Sequence, residues 1–279
     1  MSESEALLTL AVEAARMAGA LLQERAQHGA EEVTSKSTPT DLVSEADIAS
    51  ERAIRELLAA RRPQDGFVGE ECGSAESSSG LSWVVDPLDG TVNFLFGIPQ
   101  WCVSVAVRDS EGTLAGAVYD PNRDELFTAT RDGRAELRGP GVVSELDGAL
   151  RAAERSGRVG DSQSSAREEL GSAMIATGLA YDAGVREAQG RVLARLVGRV
   201  RDIRRFGSAA LDLTWTAAGR YDAYFERSVK QWDIAAGALI CERAGLRVAE
   251  LPVFENLPWG ILVAPPDLVD QLLELAAGP

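Results

Sequence analysis

The stretch WVVDPLDGTVNF, residues 83–94, starts like a strand and ends in a different chemistry. Trp83, Val84 and Val85 are strand formers, and they deliver Asp86 to the end of a sheet. Pro87 keeps the backbone extended and withholds an N–H. Asp89 then comes back beside Asp86, Gly90 allows close backbone approach, and Thr91 starts a short helical turn with unpaired N–H groups. Two adjacent carboxylates raise each other's pKa unless a cation lies between them. The N–H groups at a helix start favour an anion. A site offering both fits a phosphate bound through metal. The plainer alternative is a turn, for which Asp, Pro and Gly are ordinary residues.

Acids elsewhere in the chain bear on that choice. Glu70 and Glu71 follow the short strand GFVG, where a solvated loop is the simple alternative. Asp233 sits in the first turn of WDIAAGALICERAG, a helix apolar nearly all round, as a ligand or as an acid that complements the helix dipole. Asp41 and Asp47 flank the start of another helix. Capping suits Asp41, while the neighbours of Asp47 turn it inward.

Outward from these motifs, the chain reads as helices interleaved with strands. Residues 3–27 form an amphipathic helix. A second helix follows KSTPTDLVSEAD, with Ala46, Ala49, Ala53, Ile54, Leu57 and Leu58 at helical spacing, and Pro63 ends it. From Trp101 to Leu137 the runs WCVSVAVRD, TLAGAVYD, ELFTAT and RAEL form an antiparallel meander. GPGVVSELDG reads as a Gly-rich connection. Beyond it come a strand in AMIATGLA, a helix at 191–200, a strand in DIRRFG, the helix SAALDLTWTAAG, the strand YDAYFE, the Asp233 helix, the strands LRVAE and ILVAP, and a helix at 267–276. This predicts a layered α/β fold built as one domain over residues 1–279, with halves 1–145 and 146–279.

Composition narrows the function. The 279 residues carry a formal net charge of −15, which disfavours nucleic-acid binding through phosphate neutralisation. No apolar run approaches the roughly 20 residues of a membrane span, and the acidic start lacks a signal-peptide pattern, so a cytoplasmic location is expected. Three scattered cysteines make neither a disulfide framework nor a thiolate zinc site, and Cys102 and Cys241 read as small core residues. The single histidine, His28, reads as solvent-facing near the end of the first helix. Without it, triad and histidine–zinc chemistry are excluded. Hydrolysis would fall to carboxylates, hydroxyls and hard metals.

Together KSTPTDLVSEAD, GEE, DPLDGTVNF, GSAA and WDIAAGALICERAG, in this order, resemble the inositol monophosphatase family of Mg²⁺-dependent, lithium-sensitive phosphatases. The resemblance implies an αβαβα sandwich, commonly assembled as a homodimer. It also implies a metal-activated water that hydrolyses inositol 1-phosphate. By position, Glu70, Asp86 and the Leu88 carbonyl would hold one Mg²⁺. Asp86, Asp89 and Asp233 would hold a second, and a third, weaker ion would lean on Glu70. Thr91 paired with Asp47 would orient and deprotonate the attacking water. Gly90 and Thr91 would hold phosphate oxygens, with Asp89 and Asp233 also facing the substrate. Gly207, Ser208, Ala209 and Glu226 would meet the alcohol, and Lys36 would close over the site. Leu246 replaces a glycine usual in the family, so an altered turn is expected there.

Three other phosphatases would share this metal core: fructose 1,6-bisphosphatase, histidinol-phosphate phosphatase and 3′-phosphoadenosine phosphatase. Glu226 favours a polyol, whereas Arg204 and Arg205 would serve a second phosphate. A regulatory binding protein without catalysis is the alternative of a different class, and the full acid set argues against it. Calcium buffering lacks an EF-hand loop.

Overall fold

The computed structural model describes residues 2–28, 33–35, 42–155 and 170–278. The first half contains α1 (Glu3–His28), β1 (Val33–Ser35), β2 (Leu42–Ser44), α2 (Glu45–Arg61), β3 (Gly66–Gly69), β4 (Ser74–Ala75), β5 (Ser82–Asp89) and α3 (Thr91–Leu95). The meander follows as β6 (Cys102–Asp109), β7 (Gly112–Asp120), β8 (Glu125–Thr130), β9 (Glu136–Gly139) and β10 (Val142–Glu145). The second half contains α4 (Gly148–Arg155), β11 (Met174–Thr177), α5 (Ala183–Leu196), β12 (Asp202–Arg204), α6 (Ala209–Ala217) and β13 (Ala223–Arg227). It ends with α7 (Gln231–Arg243), β14 (Arg247–Leu251), β15 (Gly260–Ala264) and α8 (Pro266–Ala276).

The period-2 alternation of β5 and β6 sorts their side chains between two interiors. Trp83, Val85, Val105 and Val107 face α1 and α2, where Leu7, Ala11, Ala14, Ala18 and Leu22 present a continuous helical stripe. Val84 and Ala106 face the opposite way, onto α6 and α7. The large sheet runs β10-β9-β8-β7-β6-β5-β3-β4, with β3 and β5 parallel and the meander antiparallel.

The same central helices pack against Ala176, Tyr224, Ile261 and Val263 on one face of a smaller sheet, ordered β12-β11-β13-β15-β14. Its other face, with Ile175, Phe225 and Leu262, is covered by α5 and α8. The layers are therefore helix, sheet, helix, sheet, helix, which is the expected αβαβα sandwich. Cys102 and Cys241 are both fully buried.

Three local expectations need correction. GPGVVSELDG is not a plain connection, because Val142–Glu145 pairs back on β9 as a hairpin. The helix expected at 191–200 instead spans Ala183–Leu196, started by Asp182, whose side chain accepts from the Val185 N–H. The turn at Leu246 is a regular helix ending. Gly245 takes the left-handed conformation at φ 80°, and the Gly245 and Leu246 N–H groups bond the Glu242 and Cys241 carbonyls. That is a Schellman ending, and the residue after the glycine need only be apolar. Leu246 is buried.

Candidate active site

Asp86 and Asp89 are three apart, so a regular strand would send them to opposite faces. In β5 they do not separate. Asp86 pairs with Ser104 and Asp89 with Cys102, so three steps on one strand oppose two on its neighbour. This β-bulge at Pro87 and Leu88 turns both acids toward the central helices and leaves Leu88 in the α1–α2 core. Strand β5 thus continues through Asp89 rather than stopping at Asp86. Gly90 follows at φ 101°, and a side chain there would come within 2.9 Å of the Gln100 carbonyl oxygen. Thr91 then opens α3.

The site lies where chain ends converge. Glu70 follows β3, and β3 and β5 are parallel, so Glu70 and Asp86 emerge at the same end of the sheet. Asp233 enters from the first turn of α7. Carboxylate oxygens of Glu70, Asp86 and Asp233 all lie within 4.8 Å of one another. Asp86 also accepts from the Leu88 N–H at 3.0 Å, and Asp233 from the Lys230 N–H at 2.7 Å.

Asp89 is held differently. It accepts from Ser208 Oγ at 2.6 Å, the Ala210 N–H at 2.7 Å and the Ala209 N–H at 3.2 Å. It therefore caps the start of α6, and Cys102 Sγ lies 3.7 Å away. Thr91 Oγ1 donates to Asp47 Oδ1 at 2.9 Å and is 3.2 Å from the Leu88 carbonyl. Asp47 is completely buried on α2.

A cleft of about 280 Å³ opens over these groups. Glu70, Asp86, Leu88, Asp89, Gly90, Thr91 and Asp233 form one wall, and Gly207, Ala209, Arg205 and Glu226 form another. Glu226, the penultimate residue of β13, accepts from Tyr224 Oη at 2.8 Å, and leans on Gly178, where a Cβ would stand 2.0 Å from its carboxyl carbon.

Four acids of the cleft, Asp86, Asp89, Asp233 and Glu226, resist ionisation. Burial pushes Asp86 well above the usual carboxylate range, and Glu70, Asp89 and Asp233 add repulsion. Asp233 is raised for the same primary reason, against the Lys230 N–H. Asp89 is raised to about 6 by burial, although its three donors pull the other way. Burial lifts Glu226 to about 7. Asp212, one turn into α6, is raised well above its ordinary value by burial and then by Glu226 and Asp89. Hard oxygen donors and mutual repulsion are what a small dication relieves, so the Glu70–Asp86–Asp233 cluster fits Mg²⁺.

The family model for "Inositol monophosphatase family" matches residues 3–266. The chain belongs to this family. It is 40% identical over 264 residues to the inositol-1-monophosphatase SuhB of Mycobacterium tuberculosis, covering 89% of this chain and 82% of that relative. To the Nus factor SuhB of Pasteurella multocida it is 37% identical over 271 residues, 96% and 94% of the two chains. The crystal structure of the extragenic suppressor protein suhB from Bartonella henselae superposes with a TM-score of 0.82 at 32% identity, covering 97% and 98%.

Against the family's pattern, the structure brings Glu70, Asp86, Leu88, Asp89, Gly90, Thr91, Gly207, Ala209, Glu226 and Asp233 to one cleft. Asp47 reaches it through Thr91. Ser208 does not line the cleft: it is buried and spends its hydroxyl on Asp89. Arg205 lines the cleft, while Arg204 turns to Asp202 at 2.6 Å. Lys36 and Asp41 lie outside the described residues, as does the His28 side chain. Sequence reasoning missed Leu179, Ala180 and Tyr181 on the far wall. Their only signal is that they follow β11, which runs parallel to β13. Among the described residues, no helix is long and apolar enough to cross a membrane.

Proposed function

We propose that this protein is a metal-dependent phosphomonoesterase that hydrolyses inositol 1-phosphate to inositol and phosphate. The observation that carries this reading is the Thr91–Asp47 hydrogen bond beside the Glu70–Asp86–Asp233 cluster. The relatives named inositol-1-monophosphatase, matched over most of their length, support the substrate.

Two to three Mg²⁺ ions, held by Glu70, Asp86, the Leu88 carbonyl, Asp89 and Asp233, would supply positive charge for the phosphate and acidify water. The chain's own residues do the rest. Thr91 donates its hydroxyl hydrogen bond to Asp47, which leaves the hydroxyl lone pairs to accept from the attacking water and orient it. As that water gives its proton to the Thr91 oxygen, Thr91 passes its own hydroxyl proton to Asp47, a buried acceptor screened from solvent. The N–H groups of Gly90 and Thr91 bind phosphate oxygens. Glu226, held near 7, both donates to and accepts from ring hydroxyls, and Gly207 and Ala209 leave room for the ring.

The same reading includes lithium inhibition, a homodimer, a cytoplasmic setting and a single catalytic domain over the whole chain. Exposed Phe96 and Ile98 support an assembled state, which light scattering tests. Phosphate release from inositol 1-phosphate, measured with and without Mg²⁺ and with added LiCl, tests the activity. Absence of Mg²⁺-dependent turnover refutes it and leaves the binding role without catalysis, for which the relatives named Nus factor SuhB are the pointer. Arg205 in the cleft favours a second reading, a bisphosphate substrate, which fructose 1,6-bisphosphate in the same assay distinguishes.

A further inference from the structure

Helix α2 buries three polar side chains completely, Asp47, Ser50 and Glu51, spaced i, i+3, i+4 on one face. A core-facing helix normally places apolar residues there. Each of these three instead reaches a different part of the site. Asp47 takes the Thr91 hydroxyl, and Ser50 Oγ donates to the Pro87 carbonyl at 2.9 Å. Glu51 accepts from two successive peptide N–H groups, Glu71 at 2.7 Å on Oε2 and Cys72 at 2.6 Å on Oε1. One turn on, Arg55 Nη1 donates to the Cys72 carbonyl at 3.0 Å. Strand β3 ends against the same carboxylate, since a Cβ on Gly69 would stand 2.4 Å from the Glu51 carboxyl carbon.

We infer that Glu51 is a positioning residue for Glu70, and that through Glu70 it sets the cation affinity of the site. Two N–H groups on two oxygens fix both the place and the plane of the peptides that follow Glu70. That fixes the direction from which Glu70 enters the cluster with Asp86 and Asp233. A ligand carboxylate must be held to within about 0.5 Å to share an ion, so the clamp acts on affinity rather than on the chemical step. A glutamine at position 51 has one acceptor oxygen, so its amide would oppose one of the two N–H groups. This inference rests on the reading that the cluster binds Mg²⁺.

The test is a Mg²⁺ binding isotherm by calorimetry for the parent, Glu51→Gln and Leu58→Ala, with melting of each in chelator. Leu58 is a buried apolar residue of the same helix. Glu51→Gln is expected to weaken Mg²⁺ by about 10- to 100-fold. Its kcat at saturating Mg²⁺ should return to within a few-fold of the parent. Leu58→Ala is expected to lower the melting temperature and leave the isotherm unchanged. Gly69→Ala, which pushes on the same carboxylate from β3, should reproduce the weakened isotherm. A Glu51→Gln protein with parental affinity overturns the inference. One that fails to fold at Mg²⁺ saturating the parent overturns it in favour of a purely architectural role. A parent that binds no Mg²⁺ would instead refute the functional reading beneath it.

Discussion

Replacing Glu226 with glutamine should change how the metal-free protein responds to pH. The parent carboxyl is raised from an ordinary 4.5 to about 7, first because burial disfavours its charge. The Tyr224 hydroxyl offsets part of this, Asp89 adds repulsion, and Arg205 opposes it. An acid raised in the folded state binds its proton more tightly there than in the unfolded chain. Its stabilising contribution is therefore complete below about 4.5 and disappears as pH climbs through about 7. The difference corresponds to roughly 2–3 kcal/mol, the lower figure allowing for the part of the carboxyl that faces the cleft. Glutamine keeps an oxygen for Tyr224 and has no proton to lose. Urea unfolding in chelator at a series of pH values is the assay. The variant should gain on the parent steadily from about pH 5 to pH 8, by that amount in total. Parallel profiles for the two proteins would show that burial of Glu226 has no hold on its charge.

Thr91→Ala should lower kcat by about 10²- to 10⁴-fold while leaving Mg²⁺ affinity intact and costing about 1 kcal/mol of stability. Full activity in steady-state assays would remove Thr91 from water activation. Asp86→Asn should abolish Mg²⁺ binding yet raise the melting temperature of the metal-free protein at pH 8, because it removes a buried charge crowded by Glu70, Asp89 and Asp233. A lower metal-free melting temperature would contradict the repulsion argument. Gly178→Ala should displace the Glu226 carboxyl that leans on it and raise KM several-fold without changing the Mg²⁺ isotherm. An unchanged KM would show that Glu226 does not contact the substrate.

Much of the fold was legible because buried faces announce themselves locally. The stripe on α1 and the alternation in β5 to β8 follow directly from side-chain period. The β9–β10 hairpin was not legible, since Val142 and Val143 are exposed and the segment carries no buried face to mark it. At the site, Glu70, Asp86, Asp89 and Asp233 were legible as carboxylates placed at strand ends or in a helix's first turn. Ser208 was misplaced on the substrate side, because nothing in its neighbourhood says that Asp89 will claim its hydroxyl. Glu51 escaped notice altogether: on paper it is one more acid on an amphipathic helix, and only its two backbone partners reveal that it is buried by design of the packing.

The chain alone narrowed the chemistry: acids at the ends of strands and helices, a hydroxyl beside them, and a single histidine. What it could not settle was which of those acids would share a point in space. Asp86 and Asp89 face the same way only because the register of β5 slips by one residue against Ser104 and Cys102 of β6. Asp233 joins them only because α7 packs between the two sheets with its first turn at that same end. Side-chain period is a local property, readable over a few residues. Convergence depends on pairings between segments far apart in the chain, and those exist only once the layers have closed.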